Sequence, residues 1–111
     1  MNKASNHKLI VTIVNKGMAR KVVRASKQAG AEGGTVLFGK GSGIHEQVFF
    51  LGIHIEPERE LILTLVPDEK LESVLTAVKK AGELDRPGKG IGFVLDSKKV
   101  AGVYHLLHSY S

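Results

Sequence analysis

Gly30-Ala-Glu-Gly-Gly-Thr-Val-Leu-Phe-Gly-Lys-Gly-Ser-Gly43 closes one element, builds a second and opens a loop, and the rest of the chain is arranged about it. Gly30 stands where a helix wants a residue of positive φ just beyond its C-terminus, a conformation that a Cβ penalises. Thr35 to Phe38 are β-formers suited to a half-buried pleated surface, so a short strand follows. Gly39-Lys40-Gly41-Ser42-Gly43 then leaves several amides free beside one cation, which suits a phosphate or carboxylate. The spacing Gly34-x-x-x-x-Gly39-Lys40 imitates a nucleotide-binding P-loop. Gly41, however, stands where the magnesium-binding hydroxyl belongs, and Thr35 to Phe38 extend rather than curl, so that reading fails.

Upstream, Leu9-Ile-Val-Thr-Ile-Val14 is apolar or β-branched throughout, as in a central strand covered on both faces. Lys16-Gly17 turns the chain. Met18, Val22, Ala25 and Ala29, joined by Ala19, Val23 and Ser26, form one apolar face of a helix, with Lys16, Arg20, Arg24 and Lys27 in a basic stripe opposite. Downstream, a long connector runs from Gly39 to Glu58 before the next strand, Leu61 to Val66. Connectors of this length are usually functional or disordered. Val48-Phe-Phe-Leu-Gly-Ile-His-Ile55 is too apolar for permanent disorder, which predicts an arm folded on itself, a neighbouring subunit or a partner, the simpler alternative being a longer hairpin. Pro67-Asp68-Glu69 opens a second helix, with Leu71, Val74, Leu75 and Val78 on its buried face, Lys79 and Lys80 in its last turn, and Gly82 at its end. After the loop from Glu83 to Gly90 comes a last strand, Ile91 to Leu95. In the segment 97–111, Val100, Val103, Leu106 and Leu107 suggest docking.

The order is βαββαβ. It predicts an α+β fold, a ferredoxin-like two-layer sandwich with a four-stranded antiparallel sheet and two helices on one face. Yet both faces of Leu9 to Val14 and of Leu61 to Val66 suit burial. The sheet face without helices is then a wide apolar patch that self-association would cover.

Composition sets the frame. The 111 residues are read as one domain, 1–111, without cysteine and hence without disulfides or thiolate metal sites. The apolar run Leu9 to Val14 is too short for a membrane span, so a cytoplasmic protein without membrane insertion is expected. The net charge of +5 is uneven: Met1 to Ile44 hold eight Lys or Arg against Glu32 alone. The basic helix raises the alternative of a module that binds nucleic acid or an acidic partner, although no aromatic or nucleic-acid motif accompanies the charges.

From Leu9 to Val103 the chain resembles the PII nitrogen-regulatory signalling proteins. Gly30-x-x-Gly33-x-Thr35-Val36 with Lys40-Gly41-x-Gly43 is similar to the opening of that family's T-loop, making 39–58 a T-loop-like arm. Asp68-Glu69-Lys70-Leu71-Glu72 falls at the family's second helix. Gly88-Lys89-Gly90-Ile91-Gly92-Phe93 falls at its B-loop, making 83–90 a B-loop-like loop. The resemblance implies a homotrimer that binds an adenine nucleotide, ATP, ADP or AMP, in clefts between subunits. It also implies a mobile arm that presses on a regulated transporter, enzyme or regulator, and no catalysis. By position Gly33, Thr35, Gly41 and Gly43 belong to one wall of the cleft and Gly88, Lys89 and Gly90 to its phosphate loop. The chain departs from the family where its phosphate-binding cations fall at Ile91, Gly102 and Tyr104, leaving Lys40, Arg86 and Lys89 to supply charge. Ile44-His45 replaces the Arg-Gln pair that helps hold 2-oxoglutarate, and the shorter arm contains no tyrosine to modify.

Among the remaining residues, His45 and His54 in the arm and His105 and His108 in the tail lack a third ligand that spacing identifies, so no metal site is expected. Glu56, Glu58 and Glu60 alternate and are read as one acidic surface that attracts a partner or cation. A small phosphate-handling enzyme on this fold, such as an acyl phosphate hydrolase, would need a loop arginine and a positioned amide, for which Gln47 is the candidate.

Overall fold

The computed structural model describes residues 3–4, 6–41 and 48–102. In chain order its elements are β1 (Lys3–Ala4), β2 (His7–Asn15), α1 (Ala19–Gln28), β3 (Thr35–Lys40), β4 (Val48–Phe50), β5 (Ile53–Ile55), β6 (Glu58–Pro67), a 3-10 turn (Asp68–Lys70) leading into α2 (Leu71–Ala81), β7 (Gly90–Asp96) and β8 (Lys99–Val100). The main sheet is antiparallel in the order β3-β6-β2-β7, giving the βαββαβ sandwich with both helices on one face. Two small ribbons lie outside it. β1 pairs with β8, joining the start of the chain to the segment after β7, and β4 pairs with β5 inside the arm.

Strand alternation decides what is buried. Ile10 lies opposite Thr64 and Val94, and Thr12 opposite Ile62 and Gly92. These even-numbered positions turn toward the helices, where Ile10, Val14, Ile62 and Val66 pack with Val22 of α1 and Val74 and Val78 of α2, all fully buried. The hydroxyls of Thr12 and Thr64 sit in the same layer, buried and without a hydrogen-bond partner among the described residues. Odd-numbered positions face the other way. Leu37, Leu61, Ile13 and Ile91 form one row across all four strands, and Leu63, Val11 and Phe93 form the next. At the flanks of this face Leu37, Ile91, Phe93 and Leu95 are 41 to 56% exposed. Burying such surface is worth about 25 cal/mol per Å², so a bare face of this width favours association.

The helix ends differ from their sequence signals. No side chain of its own caps α1, and its first turn holds no acid. Glu60 of β6, only 9% exposed, does so from across the sheet: its Oε1 accepts hydrogen bonds from the amides of Gly17 and Ala19, both at 2.9 Å. This corrects the reading of Glu56, Glu58 and Glu60 as one acidic surface. Glu60 is structural, and Glu58 pairs with Lys16 at 2.7 Å. At the other end of α1, Gly30 has φ +119, as expected, and the Ala29 carbonyl accepts from Ser73 Oγ of α2 at 3.1 Å. At the end of α2 it is Glu83 that takes the left-handed conformation, φ +54, whereas Gly82 keeps φ −82. Space at Gly82 is tight as well, since a Cβ there would lie 3.1 Å from the Leu84 side chain, which would have to shift.

Candidate functional site

The arm and the glycine loop leave the same end of the sheet. On one edge, β3 and β6 pair as far as Lys40 opposite Glu58, and the Gly41 amide donates to the Pro57 carbonyl at 3.0 Å. Lys16, Phe38, Gly39, Lys40, Glu58 and Arg59 line a depression of about 350 Å³ at this root. The hydrogen bond from Lys16 holds the Glu58 carboxyl below its ordinary value, and the same bond raises Lys16. Farther out, Leu51 and Gly52 make the β4–β5 turn with φ 52 and 80, and Leu51 is 86% exposed. A leucine held in left-handed backbone and offered to solvent is costly on both counts.

On the other edge, the loop after α2 folds back on its helix, with the Leu84 amide donating to the Lys79 carbonyl at 3.0 Å and the Arg86 amide to the Glu83 carbonyl at 2.9 Å. The Glu83 carboxylate accepts from Arg86 Nη1 at 2.7 Å and stands 3.9 Å from Lys89 Nζ. These cations, the Arg86 hydrogen bond foremost, hold Glu83 below its ordinary value. Gly90 has no substitute: its φ is +146, and a Cβ would meet the Ile13 carbonyl oxygen at 2.2 Å. The loop backbone is thus pressed onto β2, with its exposed glycines at the sheet end.

Arg59 and Asn15, neighbours across β6 and β2, join the two edges. Arg59 is 8% exposed and donates from Nε to the Gly41 carbonyl at 3.0 Å and from Nη1 to Asn15 Oδ1. Asn15 Nδ2 in turn donates to the Gly88 carbonyl at 3.1 Å. One arginine and one amide therefore connect the root of the arm to the glycine loop.

Of the residues expected at the site, Thr35 is exposed on the open sheet face, and Gly33, half-buried, precedes it. Lys40, five residues on, lies on the opposite face by alternation. Arg86, Gly88, Lys89 and Gly90 occupy the far edge. β6 and β2 separate β3 from β7, so at about 4.8 Å per strand some 14 Å lie between the two groups. One copy holds them at opposite edges of the sheet, bridged at Gly41 and Gly88 through Arg59 and Asn15. Gly43 lies outside the described residues, as do Gln47, His45, Tyr104, His105, His108, the rest of 103–111 and the side chain of His54. Sequence reading missed Arg59, Asn15 and Glu83 and gave Glu60 a surface role. Glu83 offered only its three-residue spacing from Arg86, and Asp85 stands nearer to both loop cations in the sequence. Among the described residues no group of three or more His, Asp or Glu is suited to a metal ion, and no helix is long and apolar enough to cross a membrane.

The class is that of a ferredoxin-like sandwich with an arm between its middle strands and a glycine loop before its last. The family model for nitrogen regulatory protein P-II matches residues 7–105, and the chain belongs to that family of regulatory proteins. Similar in fold is the crystal structure of Arabidopsis thaliana PII bound to citrate, with a TM-score of 0.70, 22% sequence identity and coverage of 90% of this chain and 85% of that one. A search of curated proteins finds no match.

Proposed function

We infer that the protein is a cytoplasmic, non-enzymatic signalling regulator of nitrogen metabolism that binds an adenine nucleotide between copies of a homotrimer and reports occupancy to a regulated transporter, enzyme or regulator through the arm at 39–58. The observation that carries this reading is the separation of the two half-sites. Thr35 and Gly41 belong to one edge of the sheet and Gly88 to Gly90 to the other, and the apolar face between them is uncovered. A closed ring of copies packed by those faces sets the β3 edge of one copy against the β7 edge of the next, so each cleft gains both walls. The exposed Leu51 and Ile53 at the tip of the arm supply apolar contact for the regulated protein.

The family's cations fall at Ile91, Gly102 and Tyr104 here, so ATP binds more weakly than to a member with the full set, and AMP loses least. Light scattering establishes the copy number, and calorimetry with ATP, ADP and AMP establishes the ligand. A ligand at 100 times its Kd also raises stability by about 2.7 kcal/mol, which thermal shift detects. A stable monomer at micromolar concentration contradicts the reading.

A second reading draws on a groove between the helices, floored by Ala25, Ala29, Ala77 and Ala81 and rimmed by Lys21, Arg24 and Lys80. It would take an acidic partner, and oligonucleotide binding that falls steeply with salt would instead point to nucleic acid.

A further inference from the structure

Arg86 and Lys89 are the two loop cations nearest the glycines that would receive a phosphate, and both already face an anion. Each oxygen of the Glu83 carboxylate answers one of them: Oε1 accepts from Arg86 at 2.7 Å, and Oε2 stands 3.9 Å from Lys89. A carboxylate held between two cations presents the same charge and oxygen spacing as one edge of a phosphate group. Its placement also has a conformational cost, since Glu83 carries the left-handed turn, φ +54, that a glycine would carry without strain. The preceding residue is a glycine, yet Gly82 stays right-handed. The neighbouring acid, Asp85, does not compete for these cations but pairs with Lys79 at 3.4 Å.

Given an anion at the glycine loop, as inferred above, we propose that Glu83 is a built-in phosphate mimic that occupies Arg86 and Lys89 in the empty site and must be displaced by the ligand. Glu83 then sets specificity by charge. A polyphosphate that reaches both cations bears the cost of displacing the carboxylate, whereas AMP leaves it largely in place and bears little of that cost, so Glu83 narrows the advantage of ATP over AMP. The released carboxylate hangs from the end of α2, which makes that helix end the part of the subunit that senses phosphate.

The test is calorimetry at low and high salt with ATP, AMP and inorganic pyrophosphate on the parent, Glu83→Gln and Glu83→Gly. The glycine variant removes the carboxylate while suiting the positive φ, so at least one variant keeps the loop folded. Glu83 makes one charge-assisted bond at hydrogen-bond distance, to Arg86, and such a bond is worth about a power of ten, so both variants gain about tenfold for ATP and pyrophosphate and about twofold for AMP. The gain shrinks as salt screens the exposed cations. Equal affinity in parent and variants, or weaker binding in both variants, overturns the proposal and leaves the nucleotide reading standing, because the carboxylate would then be neutral or would position the cations. A gain for pyrophosphate without any preference for adenine nucleotides keeps Glu83 as the mimic and overturns the nucleotide reading. Absence of binding by every ligand to every variant overturns both.

Discussion

Glu60→Ala tests how β6 and α1 are joined. The substitution removes the acceptor from two amides, Gly17 and Ala19, each 2.9 Å from Oε1. A hydrogen bond to a charged group contributes about 1.5–3 kcal/mol, and an acid at a helix N-terminus adds about 0.3–1 kcal/mol through the dipole. The Ala19 amide is buried and bears its loss in full, while the Gly17 amide is only part-buried and recovers some of it from water. The sum is about 2–4 kcal/mol. With an unfolding entropy of about 2.1 cal/mol/K per residue, each kcal/mol moves Tm by about 4 °C in a chain of this length, so the drop is about 8–17 °C. Glu60→Gln keeps a carbonyl oxygen at the same place and loses only the charge, so about 1 kcal/mol is expected. Urea unfolding of the three proteins at one protomer concentration measures this. If Glu60→Ala stays within about 1 kcal/mol of the parent, or Glu60→Gln falls as far as alanine, the carboxylate does not cap α1 and the argument is wrong.

Gly90→Ala cannot place its Cβ 2.2 Å from the Ile13 oxygen without moving β7 off β2, and thermal melts should show a loss of several kcal/mol or no folded protein. Gly41→Ala, with open space and no positive φ, should melt with the parent. Arg59→Met removes the bond to the Gly41 carbonyl, so the Gly41 amide should exchange its hydrogen at least about tenfold faster; unchanged exchange would mean the arm's root is held elsewhere. Thr12→Val exchanges an unpartnered buried hydroxyl for a methyl and should stabilise by about 1–2 kcal/mol in urea, whereas a loss would reveal a partner for that hydroxyl. Glu58 is held below its ordinary 4.5, so the Lys16–Glu58 contribution is present above that pH and lost as pH falls through the lowered value. The stability gap between Lys16→Met and the parent should therefore be full well above pH 4.5 and close as pH falls below it, and a gap independent of pH would show the pair contributes nothing by charge.

The sheet was legible because strand alternation is local. Leu9 to Val14 and Leu61 to Val66 have apolar residues at both parities, and the structure divides them into a helix-covered layer and a bare one along that division. The apolar stretch Val48 to Ile55 signalled an ordered arm but left its partner open, and the structure folds it on itself as β4 and β5. What stayed hidden depends on residues distant in the chain. Glu60 looks like the last of a row of acids, and nothing near it in sequence says that Gly17 and Ala19 will arrive with free amides. Arg59 and Asn15 meet only through the β2–β6 register, so the tie between the arm and the glycine loop has no local signature. Gly82 ends α2 as the sequence indicates, but that the left-handed turn falls on Glu83 and not on the glycine is visible only in the structure.

The central claim is that each ligand cleft is shared between copies, and subunit complementation tests it most directly. Thr35→Glu spoils the β3 wall and Lys89→Glu the β7 wall, so neither variant alone should bind ATP. Refolded together in equal amounts, they form mixed rings in which an intact β3 edge meets an intact β7 edge at about one interface in four. Calorimetry should then recover ATP binding at the parent's affinity with about one quarter of its stoichiometry. No recovery in mixed rings, with ATP still bound by the parent, would mean that both walls come from a single copy and that the shared cleft is wrong.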